Sequence, residues 1–80
     1  MGMGPNDVSQ IKDFIGARVS VQKKDGSIVF GTLSFYNWEQ QVIHLCDFEV
    51  VMENCVSRKG KFVVINSREW KNLEIGGETE

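Results

Sequence analysis

Two hydrophobic periods divide the chain. Val8, Ile11, Phe14 and Ile15 recur at three- and four-residue spacing, which predicts a short helix capped by Asn6 or Asp7 and ended by Gly16. From Arg18 the period becomes two. Val19 and Val21 alternate with Arg18, Ser20 and Gln22, giving a first strand with one wet face. Lys24-Asp25-Gly26-Ser27 reads as a hairpin turn, because Asp-Gly readily supplies the positive φ that a tight turn needs. The next apolar run, residues 28–36, is too long and too uniformly apolar for a flat, half-exposed strand. Its midpoint is Gly31, which predicts a bulge and strong curvature. Asn37-Trp38-Glu39-Gln40-Gln41 is a polar connection to a third strand, which runs from Val42 to about residue 51 with Ile43 and Leu45 on one face. A polar bend follows, around Glu53-Asn54 and Ser57-Arg58-Lys59-Gly60. Phe62-Val63-Val64-Ile65 is the fourth strand, Asn66-Ser67-Arg68-Glu69 a turn, and Trp70–Ile75 the fifth strand. The predicted fold is mainly β: an N-terminal helix, then a five-stranded, strongly bent, partly open antiparallel barrel of SH3 type.

Eighty residues with 41% hydrophobic content fill one core and no second one. The expected organisation is a flexible N-terminus over residues 1–6, one domain over 7–75, and a disordered Gly/Glu-rich tail over 76–80. A domain this small gains from burying more surface by self-association. The net charge of −2 and pI of about 5.3 exclude a broad basic face, so any nucleic-acid site is local. No run of about 18 apolar residues is present, and no membrane span is expected.

Candidate chemistry is sparse. Cys46 and Cys55 lack metal-ligand spacing, and with no secretory segment recognised they are expected as reduced thiols in a cytoplasmic protein. His44 is the one histidine and sits in an apolar strand, where it has no acid-base partner in sequence. The acidic residues are dispersed, and no phosphate-cradling glycine loop or nucleophile motif occurs. The expectation is therefore a protein without catalytic residues, metal or cofactor.

Over residues 8–75 the order of these features resembles the Sm/LSm family of RNA-binding ring proteins. The first family motif is matched between Gly16 and Glu49. Its hairpin glycine corresponds to Gly26, its Gly-x-Leu to Gly31-Thr32-Leu33, its aromatic-acidic pair to Tyr36-Asn37, and its closing acidic segment to Asp47-Phe48-Glu49. The second motif, Ile-Arg-Gly followed by two apolar residues three apart, corresponds to Ile65-Asn66-Ser67 with Trp70 and Leu73. The resemblance implies an Sm-like barrel that self-associates into a ring of six or seven subunits and holds single-stranded, U-rich RNA at its pore. It also implies pairing of the fourth strand of one subunit with the fifth of the next, which places Phe62, Val63, Val64, Ile65, Trp70 and Leu73 at the interface. The residues support this independently, because Phe62-Val63-Val64-Ile65 is apolar on both faces and would be an aggregation template as a bare edge. The other reading is that this strand is central in the barrel.

The RNA pocket departs from the family pattern. That pattern draws an acidic residue, a stacking side chain and an asparagine from the connection between strands two and three, and an arginine from the turn between four and five. By resemblance the candidate RNA-binding residues are Asn37, Trp38, Gln40, Gln41, Asn66 and Arg68. Asn37 stands in the acidic slot without the charge. An ungapped alignment puts Gln41 in the asparagine slot but forces His44 into the core and Leu45 out of it. A connection one residue longer returns Ile43 and Leu45 to the core and leaves Val42 in the slot. Asn66 and Ser67 replace Arg-Gly, with Arg68 two positions later. Trp38 either stacks on a base or packs on a neighbouring subunit or the helix, and Arg68 either reaches the pore by another path or is a solvated charge. Two functions from different classes follow: an RNA-holding ring, and an Sm-like scaffold that binds proteins with little or no RNA binding. A generic SH3-like barrel shares the strand pattern but does not account for the spacing from Ile65 to Leu73.

Overall fold

A computed structural model describes residues 2–4, 11–53 and 55–76. The predicted helix falls largely outside them, Asn6, Asp7 and Val8 included. Its end is visible: Ile11 and Lys12 are helical, the Phe14 N–H donates to Ile11 O at 3.1 Å, and Ile11 is fully buried. Gly16 then turns the chain at φ +98° and donates its N–H to Leu33 O at 2.7 Å, tying the helix end to the barrel.

Among the described residues, six strands form one antiparallel sheet. They are β1 (Gly2–Met3), β2 (Arg18–Lys23), β3 (Ile28–Asn37), β4 (Val42–Met52), β5 (Cys55–Ile65) and β6 (Trp70–Ile75). Their order is β1-β6-β2-β3-β4-β5, so the five predicted strands are β2 to β6 and β5 lies at an edge, not in the centre. Val19, Val21, Val29, Leu33, Ile43, Leu45, Ile65, Trp70 and Leu73 close over one core.

Curvature has two local causes. The β3–β4 register slips between Phe30 and Thr32, as the glycine at position 31 predicts, and a Cβ there would lie 3.1 Å from Cys46 O and 3.3 Å from Leu45 Cβ. Opposite, Asp47 adopts φ +49°, so that Phe48 joins the buried set although it follows an exposed residue. The hairpin turn is a four-residue turn with Gly26 N–H bonded to Lys23 O at 3.2 Å. Only Gly26 takes positive φ, at +95°, while Asp25 caps the turn by accepting from Ser27 N (2.9 Å) and Oγ (2.6 Å).

Two elements differ from the sequence reading. Residues 57–60, read as a bend, belong to β5, which begins at Cys55 and pairs Phe48 with Gly60, Glu49 with Lys59 and Val50 with Arg58. This extension is exposed on nearly every position, so no hydrophobic alternation marks it; the backbone ladder and the Ser57 Oγ bond to Val50 O carry it. Within the segment read as a flexible N-terminus, Gly2 and Met3 pair with Glu74 and Leu73 as β1.

Candidate nucleic-acid interface

The connection of residues 37–41 and the turn of residues 66–69 meet at one end of the barrel. Ile43 pairs with Ile65, which brings the ends of β4 and β5 together, and the Trp70 indole N–H donates to Gln41 O at 2.9 Å across them. Trp70 is fully buried and meets the Tyr36 ring edge to face at 6.2 Å, so the loop is anchored to the core. Burial of that tyrosine pushes its phenol above the usual value.

Inside the loop, Asn37 Oδ1 accepts from the N–H groups of Glu39 (3.1 Å) and Gln40 (3.2 Å), and Gln41 takes φ +57°. Asn37 therefore shapes the connection, with its side-chain oxygen spent internally. The shape holds Trp38 out: its side chain is 54% exposed at the tip. Ile43 and Leu45 are fully buried and His44 is half-buried, which is the packing of the longer connection, with Val42 opposite Asn37. Gln40 is exposed; Gln41 contributes its backbone oxygen to Trp70.

The second turn is also internally bonded. Asn66 Oδ1 accepts from the Arg68 N–H at 3.0 Å, and its Nδ2 donates to Glu69 Oε2 at 2.8 Å. Its side chain is thus committed to the turn, while that of Arg68 is exposed. The hairpin turn joins this one through the Lys24 N–H, which donates to Glu69 O at 2.8 Å, and through Lys23 Nζ, 3.5 Å from Glu69 Oε1. Between them lies a cleft of about 360 Å³ lined by Lys23, Lys24, Asp25, Arg68 and Glu69. Sequence reasoning missed the two lysines, because a charged pair before Asp-Gly is an ordinary hairpin feature; only the approach of the two turns gives it meaning.

Of the interface candidates, Ile65, Trp70 and Leu73 are core residues, and Val63 packs against the core. Phe62 and Val64 are 56% and 46% exposed. Phe62, His44 and Phe35 form a row across β5, β4 and β3, with His44 5.7 Å from the Phe62 ring and 5.3 Å from the Phe35 ring. Cys46 and Cys55 are free thiols. Among the described residues no group of His, Cys, Asp and Glu is placed to hold a metal, and no helix is long and apolar enough to cross a membrane.

No protein-family model matches the sequence, and no curated protein is detectably similar to it. Solved structures are similar. An Sm protein of Pyrococcus abyssii in complex with a uridine heptamer superimposes with a TM-score of 0.81 at 20% identity, over 88% of this chain and 97% of that one. The fold is Sm-like. The P. aerophilum SmAP1 heptamer shares it at a TM-score of 0.78 and 19% identity, over 90% and 95% of the two chains. So does a chain of the NatC complex bound to CoA, at 0.73 and 25%, over 84% of each. In this Sm-like domain the connection after β3 and the turn after β5 form one rim, with an indole projecting from it and a mixed-charge cleft beside it.

Proposed function

We propose that this protein is an RNA-binding subunit of an Sm-like ring, which holds single-stranded RNA at the rim formed by residues 37–41 and 66–69. The observation that carries the reading is Trp38: a large apolar side chain held in solvent by a loop whose own hydrogen bonds fix it there. An exposed indole on a fixed loop is a stacking platform, and base stacking is worth about 1 to 3 kcal/mol per base. The similar Pyrococcus abyssii protein is seen with a uridine heptamer and the P. aerophilum protein as a heptamer, which supports both uridine as the first probe and a ring. The open β5 edge with exposed Phe62 and Val64 supports self-association.

Tryptophan fluorescence titrated with oligouridine tests the reading, because Trp38 is exposed and Trp70 is not. The wild-type signal is expected to change with RNA, and Trp38→Ala is expected to weaken binding about tenfold or more while the particle mass stays the same. No binding at low salt, or equal binding by the variant, favours the second reading. That reading is a protein-binding scaffold, for which the likeness to a chain of the NatC complex speaks.

A further inference from the structure

We infer that the cleft between the hairpin turn and the turn of residues 66–69 binds a phosphodiester group of single-stranded RNA, with Lys24 and Arg68 as the contacting cations. The inference rests on the RNA-binding reading and supplies what the stacking loop lacks. Residues 37–41 offer an indole and amides but no cation, and Glu39 adds a negative charge. With a net charge of −2 the chain has no general attraction for RNA, so a backbone contact must come from a local excess of positive charge.

The cleft provides that excess by its lining, in which Lys23, Lys24 and Arg68 stand against Asp25 and Glu69, and both carboxylates, though charged, are bonded within their own turns. Asp25 accepts two bonds from Ser27 through Oδ1, which hold its carboxyl below the usual carboxylate range. Glu69 has Lys23 on one carboxylate oxygen and Asn66 Nδ2 on the other. Lys23 is thereby offset. Lys24 and Arg68 are exposed and have no ion pair among the described residues.

The cations are also mounted on fixed backbone. The Lys24 N–H bonds Glu69 O, the Arg68 N–H bonds Asn66 Oδ1, and the Lys23 N–H bonds Ser27 O at 2.9 Å. Two long side chains rooted in two turns that are hydrogen-bonded to each other flank one opening. Its volume, about 360 Å³, admits a phosphate with its ribose. Trp70 follows Glu69 directly and bonds Gln41 O, so the cleft adjoins the loop that bears Trp38.

The test measures oligouridine affinity of the full chain against salt for the wild type, Lys24→Gln/Arg68→Gln, Lys24→Arg/Arg68→Lys and Trp38→Ala. The neutralised double variant is expected to bind more weakly, with the slope of log K against log salt reduced by roughly 0.7 for each phosphate no longer neutralised. The charge-retaining variant is expected to keep the wild-type slope, and Trp38→Ala to bind more weakly at an unchanged slope. An unchanged slope in the neutralised variant overturns the phosphate site, whether or not affinity falls, and leaves the stacking loop standing. Absence of oligouridine binding by the wild type overturns both readings together.

Discussion

Gly60 stands opposite Phe48 in the β4–β5 ladder, and a Cβ there would lie 2.7 Å from Cε1 and 2.9 Å from Cζ of that ring. Phe48 is 3% exposed and carries the Arg58 guanidinium over its face at 5.6 Å, so the ring has little room to yield. Gly60→Ala is expected to destabilise the fold by about 1 to 3 kcal/mol, read as a lower urea midpoint at an unchanged slope. An unaltered midpoint would show that the ring moves freely. This role is not legible in the sequence, where Gly60 sits in a polar run and reads as a bend. Asn37 shows the converse. Its place in the family pattern reads as a base acceptor, yet its oxygen closes the loop, because an asparagine next to two available backbone N–H groups satisfies them before any ligand arrives.

At the scale of elements, β2 is covered on both faces, Ser20 at 5% exposure included, so the wet face its alternation predicts is absent. The turn at Gly26 and the bulge at Gly31 are readable, since each is a local pattern with a local cause. β1 is not, because Met1-Gly2-Met3-Gly4 has no strand pattern of its own and pairs only where β6 offers an edge. That pairing has a consequence for assembly. If the ring uses the β6 edge, β1 occupies part of it at Leu73 and Glu74, and a two-residue strand is a weak competitor. Deleting residues 1–4 is expected to move assembly to lower protein concentration, measured by sedimentation velocity over a dilution series. An identical concentration dependence would show that β1 does not hold the assembly edge.

For the whole molecule, the Phe35–His44–Phe62 row and Val64 leave an apolar face beside the open edge of β5, the pattern expected of a surface that another chain covers. Since Phe62 and Val64 are about half exposed in the single subunit, Phe62→Lys/Val64→Lys should leave the fold intact. Under the ring reading the wild type is expected to run as a six- or seven-fold particle and the double variant at monomer mass, because uncompensated charge in an interface costs several kcal/mol. A monomeric wild type at micromolar concentration would end the ring reading.

The sequence by itself determined the mainly β fold, its five main strands, the glycine that bends β3 and the family whose fold it shares, because strand period, turn chemistry and residue order are properties of neighbours along the chain. Tertiary structure decided which of the apolar residues 62–65 point outward, that Gly60 lies against the Phe48 ring, that Asn37 and Asn66 close their own turns, and that Lys24 and Arg68 flank one cleft. Most of these depend on residues distant in sequence arriving at one place, Lys24 beside Glu69 and Gln41 beside Trp70. That arrival is set by sheet order and register, which no local pattern encodes.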